Sequence, residues 1–187
     1  MSPKFTDRSK KALALVAALA YSGSALANDV IALQINGVPG DAGFASANGL
    51  PASSIEVSSL SGGISNALSI ATQTTGGGAG KATLQNLNLL THFGASSPYL
   101  FLSTANGAHY NTATVAFYHV NNAGVATQYY TITLTTALVV SESFAGAGGT
   151  PLRADTVNVS FAYGAIQLTD NNTGATVCWS AITNSTC

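Results

Sequence analysis

The sequence predicts a mainly β domain, an antiparallel sandwich or partly closed barrel with one short helix inserted, behind a helical export signal. Three observations carry that prediction. Short segments of alternating apolar and hydroxyl-bearing residues follow one another along the chain, separated by Gly-, Asn- and Pro-containing turns. A single stretch, 97–107, has the start and stop signals of a helix. Only 7% of residues are charged while 47% are hydrophobic, so solubility falls to Thr, Ser, Asn and 19 glycines, a composition that suits strands with a hydroxyl face and still supplies a core.

The chain has 187 residues, enough for one domain and an appendage. Residues 1–27 are that appendage. Lys10 and Lys11 close a basic n-region, Ala12 to Ala20 form an apolar h-region, and Ala25-Leu26-Ala27 is a small-residue cleavage site, so the mature domain is expected to span 28–187, with Ala27 and Asn28 flanking the cut. The apolar run is too short to span a bilayer, and no membrane association is expected of the mature form. The destination is then the periplasm or the exterior, where Cys178 and Cys187, an even pair in the last ten residues, are expected to bond and pin the tail.

Val30–Ile35 is a strand ended by Asn36-Gly37. Ser54–Leu60 alternates, with Ile55, Val57 and Ser59 on one face, and Ala82–Leu90 alternates again. Between them lies a Gly-rich loop, Thr72–Gly80, expected to be unstructured on its own and to reach a neighbouring molecule through Thr72, Gly76, Gly77, Gly78 and Gly80. In the helix Ser97 is the expected N-cap, Pro98 the first helical residue and Gly107 the stop, with Tyr99, Leu100, Leu102 and Ser103 on one face. Thr112–Val120 and Gln128–Thr135 flank the turn Asn121–Gly124 as a hairpin. Ala137–Ser143 reads as a further strand. Val157, Val159, Phe161 and Tyr163 alternate along the longest one, Gly164 marks an expected bulge that shifts Ile166 and Leu168 into register, and Thr176–Ser180 closes the domain after a turn at Asp170–Gly174.

Catalytic chemistry finds little support in these residues. Gly76–Thr83 lacks the first Gly of a phosphate-binding loop, whose place Thr75 takes, and the hydroxyl after the Lys, where Ala82 stands. His92, His109 and His119 have no second His at metal-pair spacing, the acids are scattered, and no strained nucleophile turn is present, so neither a cofactor nor an enzyme is expected. After residue 27 only Lys81 and Arg153 oppose six carboxylates, which argues against nucleic acid as a partner.

The order of several pieces resembles the Hcp family, the tube proteins of type VI secretion. Ser54-Ile55-Glu56-Val57 is similar to the family's SIEV strand. Gly80-Lys81-Ala82-Thr83-Leu84-Gln85-Asn86-Leu87 looks like the stretch that follows its Gly-rich loop, and Ser96-Ser97-Pro98-Tyr99-Leu100-Phe101 with Gly107 like its helix. Thr112–Val115 and Gln128–Leu134 resemble the central hairpin, Val159–Ile166 the late strand, and Trp179 with Asn184 the ending of some members. The resemblance implies a two-sheet β-barrel with a lateral helix, subunits packed into hexameric rings that stack, and a non-enzymatic role carrying secreted effectors or meeting proteins of the secretion apparatus. Two features depart from it: the leader, which tube proteins leaving through the apparatus do not need, and the near absence of charge. The other reading the residues allow is a monomeric secreted β-sandwich, adhesin-like or carbohydrate-binding, with Tyr110, Tyr118 and Tyr129 arrayed on one face.

Overall fold

The computed structural model describes residues 28–66, 81–147 and 155–187. Among them the backbone is organised by three long neighbouring strands, β7 (His109–Val120), β8 (Ala126–Ala145) and β9 (Thr156–Asp170), joined as antiparallel ladders. The β7–β8 turn is held as the sequence predicts: Asn121 Oδ1 accepts from Ala123 N–H and Val125 N–H, and Gly124 takes a φ of 73° that suits glycine. The segment read as a separate strand from Ala137 is the continuation of β8, which runs unbroken for 20 residues.

The ladder closes on itself. β1 (Asn28–Ile35) pairs β7 on one side and β2 (Ile55–Val57) on the other. The chain then changes neighbours at Ser58, whose N–H donates to Leu90 O at 2.8 Å, and continues as β3 (Ser59–Ser61) along β6 (Leu87–Thr91), which pairs the first half of β9. The barrel is therefore β1-β7-β8-β9-β6-β3/β2, antiparallel throughout, and closure removes its edges. The break at Ser58 also flips the face: Ile55 and Val57 are buried, Ser59 is exposed rather than sharing their side, and Leu60 packs on the core. β4 (Ile64–Asn66) and β5 (Ala82–Leu84) form a separate two-stranded ribbon, and β10 (Thr176–Ser180) and β11 (Ser185–Thr186) extend the sheet beyond β9.

Inside the barrel Leu33, Ile55, Leu89, Val115, Leu134, Val139, Val157, Val159 and Phe161 are fully or almost fully buried, each contributing roughly 1.5–3 kcal/mol of burial. The expected bulge at Gly164 is a different device. The β8–β9 register is constant from Tyr130↔Asp170 to Val139↔Phe161, and the shift comes only at Val140. What changes beside Gly164 is the inward face, and it changes in three strands at once, along the line Asn111, Thr136, Gly164 that the paired registers skip. Inward residues switch from Tyr110 to Ala113 in β7, from Leu134 to Ala137 in β8 and from Tyr163 to Ile166 in β9. Thr136 takes a φ of 52°, costly for a β-branched residue, and a Cβ on Gly164 would lie 3.3 Å from the Thr136 Cβ and 2.9 Å from Ile182 Cδ1.

The predicted helix is α2 (Ser97–Asn106), stopped by Gly107 at φ 68°. Its N-cap is Ser96, one residue earlier than predicted, because the Ser97 hydroxyl is used to accept from Gly94 N–H. A second helix that the sequence reading lacked, α1 (Ala42–Ala47), buries Phe44 and Ala45 and lays Phe44 on the outer face of β1 and β7 against Val30, Ala32, Ala116, Tyr118 and Val120. Among the described residues no helix is long and apolar enough to cross a membrane.

Candidate functional site

Two surfaces and a bonded tail stand out. The first surface is built on α2 and the far end of β8. Leu100 and Ser103 anchor the helix inward, Leu100 in the barrel core and Ser103 Oγ bonded to the Tyr110 hydroxyl. The rest of the apolar residues face out: Tyr99 and Leu102, read as sharing a face with Leu100 and Ser103, are exposed, as is Phe101 at 57%. Beside them Phe93 and Phe144 meet at 5.9 Å between ring centroids, Phe144 being 61% exposed, and with Pro98 and Phe101 they line a groove of about 410 Å³. Adjacent apolar side chains left in water on this scale mark a contact surface.

Glu142 lies in that groove. Its Oε2 is buried and meets no donor among the described residues, and burial raises its carboxyl above the ordinary value. An acid whose folded pKa is raised binds protons better folded than unfolded, so it detracts from stability as pH climbs past the ordinary carboxylate range. Glu142→Gln is therefore expected to melt above the parent chain at pH 7, the gap closing as pH falls through the ordinary carboxylate range, as thermal melts of both in dilute solution would show.

The second surface is the outer face of β7–β10, where Thr112, Thr114, Thr131, Thr133, Thr135, Gln167, Thr169 and Thr176 occupy successive cross-strand positions. Thr169 and Thr176 sit opposite each other with hydroxyls 2.9 Å apart, Gln167 Nε2 donates to Thr176 Oγ1 at 3.2 Å, and Thr131 Oγ1 donates to Asn171 Oδ1 at 3.0 Å. The face is polar and free of lysine, arginine and carboxylate at those positions.

A disulfide joins Cys178 on β10 to Cys187 after β11, with Cα atoms 5.3 Å apart. The intervening turn is also tied down by Ala181 N–H donating to Gly164 O at 2.9 Å and Ala82 N–H donating to Asn184 Oδ1 at 3.1 Å. Closing so short a loop is worth about 2–3 kcal/mol in the chain-entropy account, and only to the segment it encloses. Cys187→Ser is expected to fray β11 and move the emission of Trp179, the sole tryptophan, while the barrel's melting temperature shifts by less than about 3 °C; fluorescence and calorimetry on one sample test both.

Of the other residues singled out in the sequence, Asn28 opens β1 opposite Val120. Ala27 and the loop residues Thr72, Gly76, Gly77, Gly78 and Gly80 lie outside the described residues. The three tyrosines do not form a row: Tyr110 packs on the barrel core, Tyr118 is buried on the opposite face, and Tyr129 stacks on His119 at 4.1 Å. His92 is structural. Its Nδ1 lies 2.7 Å from Asp155 O, which only accepts, so Nε2 accepts from the Ser58 hydroxyl at 2.8 Å and pins the β2–β3 break to the start of β9. His119 faces Asp29, and among the described residues no three His, Cys, Asp or Glu side chains converge as a metal site.

Residues 33–169, well over half of the chain, match the family described as "Type VI secretion system effector, Hcp". The chain belongs to the Hcp family. Hcp proteins are structural, non-enzymatic components of type VI secretion, of the tube and effector-carrier class, and this chain is one of them. Solved Hcp structures share its fold. Hcp1 from Salmonella typhimurium gives a TM-score of 0.67 at 20% identity, covering 85% of this chain and 99% of that one. A structure described as a type six secretion system protein gives 0.71 at 21% identity over 86% and 100%. The secreted protein Hcp3 from Pseudomonas aeruginosa gives 0.55 at 16% identity over 82% and 99%. No curated protein matches the sequence.

Proposed function

We propose that the mature protein, residues 28–187, is exported through its leader and assembles into hexameric Hcp rings in the periplasm or outside the cell. The observation that carries this reading is the aromatic surface on α2 and β8. Phe93, Phe101 and Phe144 are large, adjacent and exposed on a chain with almost no charge to keep copies apart, and a ring contact would cover them. Glu142 at the same place offers a buried acceptor to a hydroxyl or amide of the neighbouring subunit. The hydroxyl face of β7–β10 would then turn to the channel and handle cargo by hydrogen bonds rather than ion pairs. The Gly-rich loop, through Thr72 and Gly76 to Gly80, would add a second contact. Cleavage after Ala27 would leave Asn28 and the whole of the β1–β7 ladder described above in the mature chain.

Light scattering on the exported protein over a rising concentration series tests the assembly. A species of six subunit masses is expected, and a monomer at every concentration overturns it. Mass spectrometry of the same sample is expected to find Asn28 at the N-terminus; a retained leader would remove the export half of the reading alone.

A further inference from the structure

Asparagine precedes glycine at three places in the chain, Asn36-Gly37, Asn48-Gly49 and Asn106-Gly107. That dipeptide can react with itself: glycine has no Cβ, so its backbone nitrogen reaches the asparagine Cγ with little obstruction. The fold treats the three very differently.

Asn106 is the last residue of α2. Gly107 N–H donates to Ser103 O as the helix ends, so the attacking nitrogen is engaged, and Asn106 Oδ1 accepts from Ala108 N–H at 2.9 Å. Asn48 ends α1. Its own N–H donates to Ala45 O and Phe44 O, its Nδ2 donates to Phe44 O at 2.9 Å, and a Cβ on Gly49 would lie 2.6 Å from Gly124 O. That peptide is held from both sides.

Asn36 differs on each count. It lies with Gly37 in the turn after β1, both are exposed, and among the described residues neither its side-chain amide nor Gly37 N–H makes a hydrogen bond. The turn is spanned by Val38 N–H donating to Ile35 O at 3.2 Å, the long end of the usual range. Gly37 has a φ of 85° and open space around its Cβ position, so its peptide has room to rotate toward the amide.

We propose that Asn36 is a self-modification site, converted through a succinimide to aspartate or isoaspartate with water as the co-reactant. Gly37 N–H gives its proton to hydroxide and the nitrogen attacks Asn36 Cγ. A C–N bond forms, the Cγ–Nδ2 bond breaks, and ammonia leaves with a proton taken from water. Water then opens the ring at either carbonyl. Nothing is oxidised or reduced; amide and water become acid and ammonia. Either product puts a carboxylate into a hollow lined by Gln34, Ser53, Tyr99, Thr112 and Thr114, with no charged side chain around it. The isoaspartyl product also adds a main-chain atom between Ile35 and Val38, both buried in the barrel core, so the turn no longer spans them unchanged.

The full-length gene product, made under oxidising conditions, is held folded for weeks in mildly alkaline buffer at body temperature. Mass spectrometry of peptides covering the three sites reads each conversion of amide to acid over time. Asn36 is expected to convert at least tenfold faster than Asn48 or Asn106. The same incubation in urea removes the fold and leaves the sequence. There Asn36, crowded by the β-branched Ile35 where the other two follow Ala47 and Ala105, is expected to be no faster than they are. An Asn36 still intact at the end, or converting no faster than the other two in the folded protein, overturns the proposal. So does a lead for Asn36 that persists in urea, which would put the cause in the sequence and not in the fold.

Discussion

Gly40→Ala is expected to cost about 2–4 kcal/mol and lower the melting temperature by about 5–15 °C, the largest stability effect expected of so small a change among the described residues. A Cβ at Gly40 would lie 2.3 Å from Ser53 C, 2.5 Å from Ser54 N and 2.6 Å from Ala52 O. All three are backbone atoms, so no side chain can swing aside. The two segments cannot simply part either. Asp41 N–H donates to Ser54 O at 2.8 Å, Gln34 Nε2 donates to the buried Ser54 Oγ at 3.1 Å, and the next residue is Ile55, fully buried where β2 joins the barrel. Gly43, three residues on in α1, has open space around its Cβ position, and Gly43→Ala is expected to be neutral or to stabilise by up to about 1 kcal/mol. Parallel thermal melts decide the matter: equal effects at the two glycines would refute the packing argument.

Phe101→Asp combined with Phe144→Asp is expected to leave the monomer folded and to abolish the ring. Both rings are more than half exposed in the subunit, so neither change empties the core, and circular dichroism and melting temperature are expected to stay close to the parent's. In a ring the same positions would be buried, and each aspartate would enter an apolar contact beside the already raised carboxyl of Glu142. Losing an aromatic anchor and burying an unpaired charge costs about 2–4 kcal/mol per contact, a weakening of each by about 30- to 1,000-fold. Sedimentation velocity is the measurement, and rings surviving the double substitution would place the subunit contact elsewhere.

How much of this was legible in the sequence follows from which signals are local. The β7–β8 hairpin and the alternation from Val157 to Tyr163 are written in short-range pattern, and the family resemblance read from such pieces agrees with the family match over residues 33–169. The stop of α2 at Gly107 was equally plain. Its buried face was not, because Tyr99, Leu100, Phe101 and Leu102 are apolar in succession, and periodicity selects no side when every side is apolar. α1 escaped because AGFASA is six residues without a charge or a repeat, held by the burial of Phe44 more than by propensity. The faces of Ser59 and Ile166 were misread or explained wrongly for one reason. Both depend on where a strand changes neighbour or bends with the strands beside it, a property of the sheet and not of the segment. The aromatic surface was invisible for the same reason: Phe93, Phe101 and Phe144 come from three separate stretches that only tertiary structure brings together.

The threonine-lined outer face carries one more consequence. Counter-ions act on charge, and their reach at physiological ionic strength is about 8 Å, but hydroxyl and amide dipoles give them almost nothing to act on. A partner held by a surface such as Thr133–Gln167–Thr169–Thr176 would therefore be held with nearly the same strength in brine as in fresh water. A charged channel depends on the salinity outside the cell. A channel lined by this uncharged face would be indifferent to it.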